Sequence, residues 1–137
     1  MKICTFFGHR DAPDDLKPRL RQVITELIES GQADTFYVGN QGRFDAMALA
    51  VLTELAARYP IRYAVVLAYM PTRPVGAESF LPDGIETAPK RFAISYRNRW
   101  MADHADIAVT YVRTACGGAA QGKKRAVSRG KTVIELA

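Results

Sequence analysis

Hydrophobic positions along this chain alternate between two rhythms. Lys2-Ile3-Cys4-Thr5-Phe6-Phe7 is a short apolar run ended by Gly8, which predicts a buried strand. After Pro13, the residues Leu16, Leu20, Val23, Ile24, Leu27 and Ile28 recur three and four apart, predicting an amphipathic helix that stops at Gly31. Thr35 to Val38 predicts a second strand closed by Gly39, and Phe44 to Tyr59, rich in Ala and Leu, a second helix cut off before Pro60. Arg62 to Tyr69 is a continuous apolar run, the mark of a strand covered on both faces. From Met70 to Pro89 the rhythm is lost among prolines and glycines, which predicts a long loop with a short helical piece. A helix from about Phe92 to His104, a strand from Ile107 to Val112, a Gly117-Gly118 turn, a helix to about Arg129 and a strand from Thr132 to Leu136 complete the pattern.

Strands that alternate with helices imply an α/β fold, a Rossmann-like three-layer sandwich with a mainly parallel sheet of about five strands. At 137 residues the chain is expected to form a single domain, 1–137. Its 48% hydrophobic and 24% charged residues exclude disordered and fibrous classes. The longest apolar stretch, Tyr63 to Met70, falls far short of the roughly 20 residues that cross a bilayer, so no membrane partner is expected. No signal pattern precedes the first strand, and Cys4 and Cys116 have neither metal-ligand nor redox spacing. These features predict a cytoplasmic protein with two core or near-core thiols, and no metal or cofactor is called for. The net charge of +5 favours an anionic partner, with basic residues gathered at Lys90–Arg99 and Lys123–Lys131.

In an open parallel sheet, ligands sit beyond the carboxyl ends of the strands. The segments that directly follow strands are therefore the places to look for a site. After the first strand, Gly8 allows close ligand approach, and His9 and Arg10 project where an anion or a base would be met; alternatively His9 is a bonded turn residue and Arg10 pairs with Asp11 or Asp14. After the second come Gly39, Asn40, Gly42 and then Asp45 in a first helical turn. Asp45 either complements the helix dipole or accepts hydrogen bonds from ribose hydroxyls. After the strand ending near Val112, Gly117-Gly118 opens a helix whose free N–H groups suit a phosphate, and Arg97 and Arg99 supply cations. On a helix those two arginines point about 200° apart, so only one can face a given ligand squarely. Trp100 and Met101 read as core residues.

Phe6-Phe7-Gly8-His9-Arg10, Gly39 to Asp45, Arg97-Asn98-Arg99-Trp100-Met101, and Gly117-Gly118 followed by Lys131 to Ile134 together resemble the SLOG superfamily, over nearly the full length. That group includes the cytokinin-activating LOG phosphoribohydrolases, the DNA-processing DprA proteins and many small bacterial and phage proteins. Phe6 to Arg10 and Arg97 to Met101 are most similar to the small stand-alone branch called YpsA-like. The resemblance implies a nucleotide or nucleotide-derived ligand approached by Gly8, Gly39, Gly42, Gly117 and Gly118, with Arg97 or Arg99 on its phosphate. It also implies a homo-oligomer, commonly a dimer.

One departure bears on chemistry. Where LOG hydrolases carry Pro-Gly-Gly-x-Gly-Thr-x-x-Glu, this chain has Cys116, Ala120, Gln121 and Lys124 in place of the proline, third glycine, threonine and glutamate. A cation cannot stabilise an oxocarbenium-like centre or activate water, which argues against LOG-type hydrolysis by that residue. The leading expectation is therefore a nucleotide sensor or sequestering protein. An N-glycosidase using Asp45 or a loop carboxylate, Glu78 or Glu86, is the alternative, and nucleic-acid binding a second one.

Overall fold

A computed structural model describes residues 1–137. Six parallel strands form one sheet in the order β4-β3-β2-β1-β5-β6: β1 Ile3–Gly8, β2 Thr35–Val38, β3 Arg62–Val66, β4 Ser79–Phe80, β5 Ile107–Tyr111 and β6 Thr132–Glu135. The helices are α1 Lys17–Glu29, α2 Arg43–Ala56, α3 Ala93–His104 and α4 Gly118–Ser128. α1 and α2 pack together on one face of the sheet, and α3 and α4 on the other. The expected three-layer α/β sandwich is what forms, with one strand more than its apolar rhythm announces. The extra strand, β4, is two residues long and pairs with Val65 and Val66 from inside the long loop. No periodicity can be read from two residues.

Local chemistry accounts for the elements. Pro18 stands in the first turn of α1, where its missing N–H is no loss. Gly31, with φ 74°, ends that helix in a left-handed turn in which Gly31 and Gln32 N–H return to Ile28 and Leu27 carbonyls. β1 and β5 each have a strand on both sides, and every residue of β5 is buried. Inward-facing Phe6, Phe36, Val38 and Val65 meet Leu20, Ile24, Phe44, Val51 and Leu52 from α1 and α2 to make the main core. Opposite it, a smaller cluster gathers Phe7, Val66, Met101, Ala102, Ala108 and Ala126.

Small residues bring the helices close. A Cβ at Gly122 of α4 would lie 2.4 Å from the Phe7 ring, and one at Gly8 would lie 2.1 Å from that of Phe44. The chain runs from β1 outward to β4, then returns across the sheet to place β5 on the other side of β1. The sheet order therefore reverses between β1 and β5, and a crevice opens above their carboxyl ends.

Candidate functional site

That crevice is a cleft of about 380 Å³, walled by the segments after β1, β2 and β5 and by one stripe of α3. The stripe is Ile94, Arg97, Asn98 and Met101, spaced three and four apart along the helix. Gly8, His9, Arg10, Gly39, Asp45, Arg97, Gly117 and Gly118 all line the cleft, so most of the residues anticipated from the sequence converge. Asn40 and Gly42 lie just beyond, in a second cavity that shares Gly39, Gln41 and Asp45 with the first.

Arg99 and Glu86 are placed elsewhere. Arg99 turns into a polar groove between α3 and α4, beside Lys124, as the angular separation from Arg97 requires. Glu86 is exposed on a short 3-10 turn and Glu78 is exposed before β4, neither of them on the cleft wall.

The end of the cleft formed by α4 gathers free backbone donors and a buried cation. Gly117, with φ 100°, takes a backbone conformation that favours glycine and serves as the helix N-cap. The first intrahelical bond is Gln121 N–H to the Gly117 carbonyl at 3.0 Å, which leaves Gly118, Ala119 and Ala120 N–H without protein acceptors. Facing them across the cleft is Arg97, only 2% exposed. Its Nε donates to Asn98 Oδ1 at 2.9 Å, and its Nη1 to the Val66 carbonyl at 3.0 Å and to Asn40 Oδ1 at 3.5 Å. Nη2 has no protein partner, and since every buried side-chain polar atom has one, Nη2 reaches the open cleft. Burial pulls the Arg97 pKa down, against the attraction of Asp45 and Tyr69, and a guanidinium stays charged nonetheless.

Asp45 is the second buried charge. Its Oδ2 accepts the Gln41 N–H at 2.9 Å, folding the loop back onto the start of α2. No protein donor reaches Oδ1, which therefore also meets open space. Burial raises its pKa from 3.8 to about 6, outweighing the Gln41 hydrogen bond and the attraction of Arg97 and Arg10. Asp45 and Arg97 both crowd Gly39: a Cβ there would lie 2.8 Å from Asp45 Oδ2 and 3.0 Å from Arg97 Nη1.

The remaining residues hold these in place. His9 Nε2 accepts the Arg113 N–H at 2.7 Å, so the neutral ring carries its proton on Nδ1 and tethers the loop that leads to α4. Arg10 Nη2 donates to Gln41 Oε1 at 3.0 Å, rather than pairing with Asp11 or Asp14. Gly42 lets the start of α2 lie on Arg10, where a Cβ would come within 2.5 Å of the Arg10 Cα.

At the far side of the same loop, Glu135 accepts from Lys123 Nζ, Thr110 Oγ1, Val112 N–H and Ala137 N–H at 2.7 to 2.9 Å. Burial pushes its pKa up, but those bonds prevail and hold it at about 2.

Asn98 and Met101 belong to the Arg97–Met101 segment, where the sequence assigns them no ligand contact, and Ile94 lies outside every quoted segment and is found by following the helical stripe through Arg97. Two side chains also lie differently from expectation. Cys116 is exposed on the turn before α4 instead of in the core, beyond the last buried residue of β5, Tyr111. Trp100 is half-buried, stacked on His104 with ring centroids 4.0 Å apart, while Met101 is fully buried as expected.

A doubly wound Rossmann-like sheet, with its cleft at the point where strand order reverses, is the class this architecture defines. No protein-family model and no curated protein sequence matches the chain. Among solved structures it is similar to DNA processing protein A (DprA) from Streptococcus pneumoniae, with a TM-score of 0.74 at 15% identity. The superposition covers 98% of this chain and 50% of that one, so the chain spans about half the length of that neighbour. The fold is thus DprA-like, a Rossmann-like sandwich. No helix is long and apolar enough to cross a membrane.

Proposed function

We propose that the cleft binds a phosphate-bearing nucleotide or nucleotide-derived ligand, and that the protein acts as a sensor or sequestering module of the YpsA-like branch. The observation that carries this reading is the pairing of unsatisfied N–H groups at the start of α4 with the free Nη2 of a buried arginine across the cleft. Asp45 Oδ1, which has no protein donor, suits the hydroxyls of a ribose. Calorimetry and thermal shift with mono- and dinucleotides, cyclic nucleotides and ADP-ribose test the reading. Stabilisation by at least one of them is expected, and the absence of any at millimolar ligand refutes it.

Asp45 also favours a second reading, cleavage of an N-glycosidic bond. A carboxyl whose pKa is lifted to about 6 in a cleft has the poise of a general acid or base. Lys124, in the groove between α3 and α4, takes no part in the cleft wall. Chromatography for free base after incubation with nucleoside monophosphates decides between binding and cleavage. If base is released, Asp45→Asn should abolish its release.

A further inference from the structure

Beside the anion cleft lies a second chamber of about 450 Å³, roofed by the segment Met70 to Val75. The two chambers meet at Gly39, Gln41 and Asp45, which line both. Their chemistry differs. The first has free amides and a guanidinium beside Phe7, Ile94 and Met101; the second sets Tyr69, Pro71, Pro74, Val75, Leu49 and Val65 beside the hydrogen-bonding side chains of Asn40, Gln41 and Thr72. Its fixed charges are Asp45, at the junction, and Arg73, in the roof. Tyr69 is 38% exposed and Met70 75%, large apolar surface left open around a concavity. The Tyr69 hydroxyl donates to the Lys90 carbonyl at 3.0 Å, which fixes the ring as a wall. Gly39 keeps the passage open, since any side chain there would fill the space beside Asp45 and Arg97.

Each chamber has the volume of a pocket for one small group, and joined they suit a ligand with an anionic end and a flat, hydrogen-bonding end. Given the phosphate reading above, on which this rests, we propose that the second chamber receives the base of the ligand. That base is an uncharged planar heterocycle laid against Tyr69, with the ribose at Asp45 and the phosphate at α4.

Calorimetry with inorganic phosphate, ribose 5-phosphate, AMP, GMP, CMP and UMP tests this. At least one nucleotide is expected to bind about tenfold or more tightly than ribose 5-phosphate, the increment a stacked base supplies. Ala46→Trp fills the chamber from an exposed helix position, and Tyr69→Ala removes its wall. Both should abolish that increment and leave ribose 5-phosphate affinity within about twofold, on the ordinary scale of mutations that touch no contact. Nucleotides no tighter than ribose 5-phosphate, or variants that weaken both alike, overturn the base assignment while the phosphate reading stands. If neither inorganic phosphate nor any sugar phosphate binds, the phosphate reading falls and takes this assignment with it.

Discussion

Asp45→Asn should make the protein more stable at neutral pH. Asp45 is 8% exposed, and its carboxyl ionises near pH 6 instead of 3.8. Between those values the folded state holds a proton that the unfolded chain releases, so stability falls as pH rises through this window. Above pH 7 the penalty reaches its full size, about 3 kcal/mol from a shift of about two units at 1.36 kcal/mol each. Asparagine keeps an acceptor for the Gln41 N–H and carries no charge to desolvate. The variant should therefore melt about 10 °C higher at pH 7.5, taking a few degrees per kcal/mol for a domain of this size. At pH 3.5, where the wild-type carboxyl is protonated in the folded state and mostly so in the unfolded one, the difference should nearly vanish. Thermal melts or urea titrations of both proteins at the two pH values make the comparison. A variant that is less stable at pH 7.5, or a gap that persists unchanged at pH 3.5, refutes the reasoning. A buried charge held at a stability cost, in a cleft, is what the proposed ligand role of Asp45 requires.

Glu135 behaves in the opposite sense. Its lowered pKa contributes stability above about 4.5 that is lost as pH falls towards 2, so Glu135→Gln should cost about 2 kcal/mol at pH 7 once its partial exposure is discounted, with the gap to wild type closing through acid urea titrations. Arg97→Met removes a cation that helps Asp45 ionise, so the Asp45 carboxyl should titrate above pH 6 when followed by carbon-13 NMR; an unmoved titration would falsify the coupling. Gly8→Ala drives a methyl into the Phe44 ring and should destabilise by about 1–3 kcal/mol in denaturant titration, an outcome that a shift under about 0.5 kcal/mol would contradict.

The sequence was informative wherever one physical cause acts locally. Leu20, Ile24 and Leu27 sit on one face of α1 because a 3.6-residue period leaves no other arrangement, and Gly31 and Gly117 mark turns that need positive φ. The post-strand segments followed from topology, and Gly8, Gly39, Asp45 and Gly117 do meet in one cleft. The choice between Arg97 and Arg99 depended on which face of α3 lies against the sheet, a tertiary fact. Following Arg97 by helical steps to Ile94 and Met101, both apolar, would have pointed to the buried face. β4 leaves no mark in the sequence because its pairing with Val65 and Val66 is imposed by the edge of a neighbouring strand, not by its own composition. A bonded turn residue at His9 is legible in the sequence, but its partner Arg113 lies 104 residues away and is not, nor are the partners of Glu135, up to 25 residues away.

The reversal of strand order at β1 also governs how the cleft comes into being. Cys4 pairs with Ile107 and Gly8 with Tyr111, so the two walls belong to opposite ends of the chain. β1, α1, β2, α2 and β3 can assemble from near neighbours, whereas the wall carried by β5 and α4 must close the longest loop in the molecule. Any small molecule that touches both walls recognises only the finished closure. Its binding energy therefore works as a clasp between the first and last thirds of the chain, and ligand-dependent protection from hydrogen exchange should appear first in the pairing of β1 with β5.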